Sequence, residues 1–511
     1  MTAPLPATPG PPPPRPHVVV VGAGITGLAA AHRIATAAPD LALTVLEARA
    51  RPGGNIATER RRGFLLDGGP DAYLRTKPEA TRLINELGLG DELVSPLARS
   101  AYVAWRGRLE RLPGGMALAV PTRLGPLLST PLLSWEAKLR VLGDLLLPSG
   151  WGRPAGAEES LAAFIRRRFG DEVARVLADP LLGGIYAGDA EALSAEATFP
   201  QLVRLEARHG SLIRALALAP LAGTGPRAPA PGPAVARAAA PGGGLRALLG
   251  WLRRAEAQAP SPFLTLRPGL GALIAALAAR LPPGALRLGV AATAIVPLPG
   301  GFAVMCAGGE RLRADAVIVA APAHEAARLV PDARLGGELA AIPYVSTATV
   351  FLGFDAAAMR HPLDGVGFIV PRGEARVTAG TWVSSKWAGR APAGSVLLRA
   401  FVGGARDPHA VDAHDDAALV DLALAELERL MGSLGRPRLR RVFRHVAANP
   451  QPVVGHLARL ARIGARLATL PGLYVTGAAF DGVGMPDCIR QGEAAALAAV
   501  ARLRGGLPAG A

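Results

Sequence analysis

The sequence has 511 residues, of which 50% are hydrophobic and 19% are charged, and this balance excludes a disordered or fibrous chain. At roughly 150 residues per domain, the length allows about two to four domains. The 56 Lys and Arg residues exceed the 40 Asp and Glu residues and leave a net charge of +16. These cations are nearly all Arg and form no long basic run, so we expect no nucleic-acid binding, while weak attraction to a membrane surface stays open.

Residues 1–16 are rich in Pro and lack the basic start and apolar stretch of a signal peptide, so we expect a disordered, polyproline-type tail. The two cysteines, Cys306 and Cys488, are too few for a disulfide framework or a zinc cluster, which favours a reducing compartment such as the cytoplasm. The uncharged run from Leu288 to Gly309 contains Pro and Gly, and it predicts two strands around a turn rather than a membrane span.

The first predicted elements alternate between strand and helix. His17–Val21 is a β-branched run typical of a buried parallel strand, and a helix pattern follows from Ile25 to Ala37. A second strand covers Leu43–Leu46, and an amphipathic helix runs from Pro78 to Leu87. The pattern from Trp135 to Leu221 is mostly helical, which indicates a separate helical region.

Within that region, apolar residues between Leu161 and Phe169 recur at helix spacing and predict that Arg166 to Arg168 face solvent. Residues 223–245 are a low-complexity Pro/Ala/Gly stretch and predict a mobile loop. The remaining predicted elements are strands at Ala285–Ile295, Phe302–Cys306, Ala316–Pro322 and Leu473–Thr476, a strand-rich block at Ala348–Val402, and helices at Asp415–Leu430 and Asp487–Leu503.

The strongest local motif is a glycine-rich turn between the first strand and the first helix. Gly22 permits the tight turn, Gly24 lets the backbone approach a pyrophosphate, and Gly27 allows close packing of helix and strand. Glu47, at the end of the second strand, is placed to accept hydrogen bonds from a ribose. Together these residues predict a dinucleotide site; the alternative is a coincidental Gly-rich turn.

The next segment indicates whether the dinucleotide is NAD or FAD. Glu47 is followed by Arg51, Gly53 and Gly54, and this spacing resembles the second fingerprint of FAD-dependent oxidases and desaturases related to monoamine oxidase. In those enzymes the paired glycines approach the flavin nucleotide and the arginine approaches the pyrophosphate. FAD is therefore the predicted cofactor. For Arg51 alone, the alternative is a solvent-facing loop arginine.

A second glycine-rich turn opens the last predicted helix. Gly477, Val483, Gly484 and Met485 would line the flavin end, where backbone N–H groups and a helix N-terminus face its electron-rich edge. The alternative is an ordinary strand-to-helix turn. Two such turns at opposite ends of the chain favour a single flavin held by both.

The chain also resembles the oxygen-dependent porphyrinogen oxidases of haem biosynthesis, the protoporphyrinogen and coproporphyrinogen III oxidases, over almost its whole length. The motifs that carry this resemblance are Gly68–Leu74, Asp171–Val173, Pro180–Asp189, Ala197–Pro200, Thr381–Trp387 and Gly477–Ile489. The stretches Ile185–Asp189 and Gly482–Ile489 are specific to that family, whereas the first glycine motif is shared with many flavoproteins.

The resemblance implies a mixed α/β and α+β fold. It comprises a Rossmann-like FAD-binding domain of the monoamine-oxidase-like flavoprotein superfamily, a mixed-sheet substrate domain and a helical domain that touches membrane in some members. The expected divisions are a tail at 1–16, a discontinuous FAD-binding domain at 17–100, 262–335 and 441–505, a helical domain at 101–225, a flexible loop and helix at 226–261, and a substrate-binding domain at 336–440.

The family reaction removes six electrons from a porphyrinogen by repeated hydride transfer to N5 of FAD, with reoxidation by O2 and release of H2O2. The cofactor does the chemistry, so no catalytic side chain and no metal site are predicted. His209, His445 and His456 are read as packed or surface residues. The substrate needs an apolar slot rimmed by cations.

Lys77 matches a lysine of the coproporphyrinogen-type members and is the predicted partner of a substrate propionate, with Arg99 as a second cation. The alternative for Lys77 is a solvated lysine at a helix start. Ala292 is expected to offer its backbone to adenine. Trp382 and Trp387 would wall the flavin or substrate pocket, with plain core packing as an equal alternative.

The role of Tyr186 and Asp189 stays open. They either contribute to the pocket or only hold the helical domain in place. Ala101 stands where animal and plant protoporphyrinogen oxidases have an Arg that meets a propionate. We therefore favour coproporphyrinogen III over protoporphyrinogen IX as substrate. The rival functions are an amine oxidase, a carotenoid desaturase and a non-catalytic FAD-binding partner protein.

The expected partners are the porphyrinogen and O2, with a haem-pathway enzyme as a further candidate. We expect a monomer or homodimer in the cytoplasm. Peripheral contact with the inner face of the cell membrane stays open.

Overall fold

The computed structural model describes residues 15–117, 119–121, 123–153, 156–218 and 261–505. Residues 1–14 of the predicted Pro-rich tail and the whole predicted loop at 223–245 lie outside the described residues. The same holds for almost all of the segment 226–261.

A five-stranded parallel sheet forms the centre of one half of the molecule. His17–Val21 is its middle strand and pairs with Ala42–Glu47 on one side and Ala316–Val319 on the other. Leu286–Leu288 and Leu473–Val475 form the two outer strands. The central strands are continuous apolar runs because helices cover both faces of the sheet.

Alternate residues of the middle strand face two different helical layers. Val18 and Val20 pack against the first helix, Ile25–Ala37, and the last helix, Met485–Leu503. The other residues of the strand face the layer formed by Ala323–Leu329, Ala333–Ala340 and His456–Leu467. The first helix has the predicted bounds, whereas the last one begins two residues before the predicted Asp487, with Gly484 as its N-cap.

A seven-stranded mixed sheet forms the second half. Its strands, in spatial order, are Leu439–Pro450, Tyr344–Asp355, Ser395–Gly403, Val377–Trp382, Gly367–Ile369, Ala101–Trp105 and Arg108–Arg111. The helix Asp416–Met431 packs on it through an apolar face. The expected domain boundaries at residues 101 and 441 therefore fall inside this sheet, because short strands from distant parts of the chain complete it.

Residues 124–218, called the helical segment below, form a third layer with its own apolar core. Its helices are Leu124–Ser129, Trp135–Leu142, Leu161–Phe169, Asp171–Val173, Gly184–Tyr186, Ala195–Thr198, Pro200–His209 and Leu212–Leu218, with a 3-10 turn at Gly143–Leu145 and a π-helical stretch at Ala174–Gly183.

The prediction that Arg166, Arg167 and Arg168 face solvent is wrong for two of the three. Only Arg166 is substantially exposed, whereas Arg168 is fully buried against Asp144 and Glu206. Arg167 is also largely buried between carboxylates. A buried arginine is stable only when anions compensate it, and here those anions come from segments that the pattern of one helix does not reveal.

Smaller elements join the layers. The strands are Thr58–Arg61 with Phe64–Asp67, Tyr73–Leu74 with Phe263–Leu266 and Leu93–Val94, Met116–Ala117 with Val120–Pro121, and the antiparallel set Ala292–Leu298, Gly301–Cys306 and Arg311–Ala314. The helices are Pro78–Glu86, Gly271–Ala279, Val383–Lys386 and Ala410–Ala413, with 3-10 turns at Gly90–Glu92 and Ala356–Ala358. Across the described ranges, no helix combines the length and the apolar character needed to cross a bilayer.

Candidate functional site

The three glycines of the first turn have separate structural roles. Gly22 has φ of +103°, and a Cβ there would lie 2.6 Å from the carbonyl oxygen of Ala320. A Cβ at Gly27 would lie 1.9 Å from the carbonyl oxygen of Gly22, so only Gly allows the helix to approach the strand. At Gly24 a Cβ would meet no atom within 4 Å. The space beside Gly24 is therefore open, as a bound pyrophosphate requires.

Gly53 and Gly54 form the second wall of this opening. The backbone N–H of Gly53 donates to Ala23 at 2.7 Å, and a Cβ on Gly54 would lie 3.4 Å from Gly24 Cα. Both glycines have positive φ, which disfavours other residues. The guanidinium of Arg51 donates to the carbonyl oxygen of Gly54 at 2.8 Å and thereby holds this turn.

Glu47 lies at the carboxyl end of its strand, beside the glycine turn. Its Oε2 accepts from the backbone N–H of Ala23 at 2.8 Å, and its Oε1 accepts from that of Arg49 at 2.9 Å. Each carboxylate oxygen has a second lone pair, so the side chain can still accept from a ribose hydroxyl. The backbone N–H of Val290 donates to the Glu47 carbonyl at 2.9 Å, which brings the strand of Ala292 to the same edge.

The second glycine-rich turn lies between the strand Leu473–Val475 and the last helix. Gly477 has φ of +136°, and a Cβ there would meet nothing within 4 Å. Gly484 is the N-cap of the last helix, and Met485, its first residue, is buried. Val483 is partly buried and packs against the helical segment. The first-turn N–H groups of this helix have no intrahelical acceptors and can face an electron-rich group.

The two glycine-rich turns lie side by side because the first and last helices pack directly together. A Cβ on Gly492 would lie 2.2 Å from the carbonyl oxygen of Thr26, so the two backbones cross in close contact. Arg33 and Glu493 join the same helices through an ion pair of 2.7 Å. Sequence reasoning missed Gly492, although a lone Gly inside an Ala-rich helix is a signal of close helix packing.

These observations fit FAD. The open spaces at Gly24 and Gly477 lie beside two helix N-termini and follow two strands of one parallel sheet, which are separated by the strand Ala316–Val319. Glu47 stays the predicted acceptor for a ribose hydroxyl. The residues predicted to hold the cofactor are Gly22, Gly24, Gly27, Glu47, Arg51, Gly53, Gly54 and Ala292 at the nucleotide end, and Gly477, Val483, Gly484 and Met485 at the other.

Lys77 lies beside the first turn of the last helix. Its Nζ donates to both carboxylate oxygens of Asp487, at 2.6 and 2.7 Å, while its side chain keeps 44% exposure. Arg490 is within 3.8 Å of the same carboxylate. Asp487, which sequence reasoning did not single out, thus gathers two cations at the flavin end. Arg99 is exposed and lies on the segment that precedes the strand Ala101–Trp105.

Trp387 is fully buried and donates from Nε1 to Oδ2 of Asp71 at 2.9 Å. Lys386 donates to the same oxygen, also at 2.9 Å. Arg399 lies nearby, and Lys386 and Arg399 together outweigh burial and lower the pKa of Asp71. Trp387 also packs in an apolar cluster with Phe351, so its contact with the cofactor stays a prediction. Sequence reasoning missed Asp71, although the motifs Gly68–Leu74 and Thr381–Trp387 meet here.

The remaining aromatic candidates make contacts within one layer, whereas Asp189 joins the helical segment to the half that contains the mixed sheet. Trp382 is buried, and its ring packs against that of Tyr102 at a centroid distance of 5.3 Å and a tilt of 50°. The hydroxyl of Tyr186 donates to the Thr198 carbonyl at 3.2 Å, and Asp189 pairs with Arg372 at 2.8 Å.

Two of the histidines that sequence reasoning considered, His445 and His456, take part in hydrogen bonding and packing. Nε2 of His445 bonds the carbonyl oxygen of Gly68 at 2.9 Å, and His456 is buried at the start of its helix. Among the described residues, no group of three or more His, Cys, Asp or Glu side chains could hold a metal ion.

The parallel sheet and its two glycine-rich turns define a flavoprotein of the amine oxidoreductase class. The family model "Flavin containing amine oxidoreductase" matches residues 25–500 of this chain. The chain belongs to the porphyrinogen oxidase family within that class. This confirms the predicted fold class, the FAD cofactor and the enzymatic reading.

Two relatives and one solved structure carry that assignment. The chain is 35% identical to the coproporphyrinogen III oxidase of Bacillus subtilis (strain 168), covering 94% of this chain and 97% of that protein. It is 38% identical to the enzyme of the same name from Propionibacterium freudenreichii, covering 94% and 90%. A crystal structure named "Putative protoporphyrinogen oxidase" from Exiguobacterium sp. 255-15 is 34% identical, with a TM-score of 0.80 and coverage of 96% and 99%.

Proposed function

We propose that this porphyrinogen oxidase converts coproporphyrinogen III to coproporphyrin III in haem biosynthesis and accepts protoporphyrinogen IX as a second substrate. The names and near full-length similarity of the two bacterial relatives support this choice. When bound, FAD supplies the hydride acceptor and the reaction with O2 that yields H2O2.

The observation that carries the proposal is the meeting of the two glycine-rich turns. Gly24 and Gly477 each leave open space, and the packing at Gly492 places the N-termini of the first and last helices beside them. The backbone N–H groups of those turns are fixed donors for negative charge on a bound group, and they need no reorganisation during the reaction.

Lys77 supplies positive charge that a carboxylate-bearing substrate needs, whereas Arg490 is paired with Asp481 at 2.9 Å. Lys77 has three N–H donors and uses two on Asp487, so its remaining donor can reach a propionate. Asp487 holds the ammonium in place before substrate arrives. Coproporphyrinogen III carries more propionates than protoporphyrinogen IX, so a cation at this position favours the former.

Asp71 supports the slot indirectly by holding Lys386 and Trp387 together just after the central strand Val377–Trp382 of the mixed sheet. Arg399 donates to the carbonyl oxygens of Gly68 and Gly69, at 3.2 and 2.7 Å, and so fixes the neighbouring backbone. These buried groups position the segment and help to exclude water from it.

The deciding experiment is anaerobic mixing of the FAD-loaded protein with each porphyrinogen in turn, with flavin absorbance as the readout. We expect both to bleach the flavin, and coproporphyrinogen III to do so faster. Absence of bleaching with either would favour a non-catalytic FAD-binding protein. Bleaching by amines alone would favour an amine oxidase.

The substrate role of Lys77 is tested separately with Lys77→Gln. We expect KM for coproporphyrinogen III to rise about tenfold, with a smaller rise for protoporphyrinogen IX and little change in kcat, because a charged hydrogen bond contributes roughly 1.5–3 kcal/mol. Arg75→Gln is the matched control, since Arg75 is exposed two residues earlier. An equal KM for Lys77→Gln and the control would remove Lys77 from the substrate site.

We further propose a cytoplasmic enzyme with weak peripheral attachment to the inner face of the membrane. Four large apolar side chains of the helical segment, Trp135, Leu139, Leu146 and Trp151, are more than half exposed, which supports such contact. Sedimentation with phosphatidylglycerol vesicles tests it. A haem-pathway enzyme as partner, and the choice between monomer and homodimer, stay predictions.

A further inference from the structure

A groove of about 660 Å³ lies between the helices Ala333–Ala340 and His456–Leu467. These helices cover the face of the parallel sheet opposite the first and last helices, so the groove is separate from the flavin site. Its lining combines small residues with four arginines: Gly337, Ala341 and Ala465, with Arg334, Arg459, Arg462 and Arg466. We call it the arginine groove.

The arginine groove carries a surplus of positive charge. Glu338 pairs with Arg462 at 2.6 Å and with Arg459 at 3.6 Å. Arg466 is paired with the carboxylate that caps the first of the two helices. Arg334 makes no ion pair within the described part of the chain. Two carboxylates therefore face four guanidinium groups, which leaves two net positive charges.

The two carboxylates stay ionised at neutral pH, and the arginines keep free N–H donors. A hydrogen bond from Arg462 lowers the pKa of Glu338, and one from Arg466 lowers the pKa of Asp332. A guanidinium has five N–H donors and a bidentate carboxylate occupies two of them, so each arginine can still bind another anion.

The arrangement of the arginines indicates the kind of anion. Arg459, Arg462 and Arg466 lie in a row along one side of a helix and span about 10 Å at 1.5 Å per residue. A single phosphate needs guanidinium groups that converge on one point, and a flat membrane surface does not enter a recess. A row of charges matches carboxylates repeated along one face of another helix.

We propose that the arginine groove binds an acidic helical segment of a partner protein. The small residues of the groove leave room for side chains of that segment, while the arginines contact its carboxylates. Exposed ion pairs are individually weak and are screened by salt, so the complex is transient and salt-dependent.

The test uses the FAD-loaded enzyme and a fluorescein-labelled, Ala-based helical peptide with Glu at positions i, i+3 and i+7. A peptide with Gln at those positions is the matched probe. The groove variant is Arg334→Gln/Arg462→Gln. The control variant, Arg280→Gln/Arg360→Gln, removes the same charge from two exposed arginines elsewhere. Fluorescence polarisation measures binding, while FAD content and porphyrinogen turnover check the fold of each variant.

We expect the wild type and the control variant to bind the Glu peptide equally, and the groove variant to bind it about tenfold more weakly. Raising the salt from about 0.02 M to about 0.3 M should weaken binding to the wild type. Failure of the wild type to bind, equal binding of the Gln peptide, or equal losses in both variants would overturn the proposal.

Two further arms separate the other occupants. Displacement of the peptide by inorganic phosphate, but not by chloride at equal ionic strength, would reassign the groove to a free anion. Loss of binding to phosphatidylglycerol vesicles in the groove variant, with peptide binding unchanged, would reassign it to a membrane surface. Either result contradicts an acidic protein partner.

Discussion

The parallel-sheet half and the helical segment are both densely buried, but different chemistry fills the two interiors. In the sheet, residues such as Val19 and Ile318 have no exposed surface, and the helices approach through glycines. In the helical segment, Arg168 and Asp144 are equally inaccessible and bond each other at the centre of an ion network.

That network satisfies each charge locally. Nε of Arg168 donates to Asp144 Oδ1 at 2.7 Å, and Asp144 Oδ2 accepts from Ser211 and from the backbone N–H of Ile213. Added volume destabilises the parallel-sheet half, because its helices and strands approach closely through glycines. Loss of one ion-pair partner destabilises the helical segment, because the other charge stays buried. The predicted FAD site lies in the parallel-sheet half.

The largest effect is expected where one buried charge loses its partner. Arg168→Met should lower the free energy of unfolding by about 3–5 kcal/mol, because Asp144 is left charged and buried. Arg166→Met, two residues earlier and exposed, should cost at most about 1 kcal/mol. Urea denaturation of both variants measures the difference, and equal losses would remove the contrast between the two halves.

The next effect concerns added volume in the sheet half. Gly27→Ala should destabilise the protein by about 1–3 kcal/mol and reduce its FAD content, because the new methyl meets the Gly22 carbonyl. Gly24→Ala should leave the apoprotein nearly as stable while still reducing FAD content, because its Cβ enters the open space. Thermal unfolding of apoprotein and flavin absorbance separate the two outcomes; an equally stable Gly27→Ala apoprotein would contradict the packing role.

A smaller effect is expected at the ribose end. Glu47→Ala should weaken FAD retention about tenfold, since a hydrogen bond to a charged group contributes roughly 1.5–3 kcal/mol. Glu47→Gln keeps an acceptor for the backbone N–H of Ala23 and should retain more cofactor. FAD content after gel filtration is the measurement. Full retention by the Ala variant would count against this placement.

The smallest effect is a pH dependence of stability. Burial above all, with help from Arg399, lowers the pKa of His445, although its bond to the Gly68 carbonyl opposes this. The unfolded chain therefore binds a proton more readily than the folded one, and stability should fall as the pH drops below about 6.5.

His445→Gln should make the difference in urea midpoint between pH 7.5 and 5.5 smaller than in the wild type. An unchanged difference would assign the acid sensitivity to other groups. This variant probes the contact between the mixed sheet and the segment that follows the strand Phe64–Asp67, because His445 belongs to that sheet and bonds the Gly68 carbonyl.

The sequence predicted the glycine-based half best. Gly22 and Gly27 have the structural roles that their spacing indicates, because strand, turn and helix are adjacent in the chain, and the space beside Gly24 is open. The bounds of the first helix were predictable for the same reason. The contact of Gly492 with Thr26 was not, since it joins residues from opposite ends of the chain.

The charged contacts were the least predictable. Arg166, Arg167 and Arg168 look alike in sequence, yet burial separates them, because partners such as Asp144 and Glu206 come from other helices. Such pairs depend on the final packing of several segments. A periodic pattern shows which side of one helix is apolar, but it does not show where the compensating carboxylates lie.

The strand order of the parallel sheet also has a consequence for biosynthesis. Its middle strand, His17–Val21, leaves the ribosome early, but an outer strand, Leu473–Val475, and the last helix emerge after nearly all of the protein has been made. The nascent polypeptide therefore carries the first glycine turn through most of translation without its counterpart. A flavin site that needs both turns is complete only after the last helix has been made.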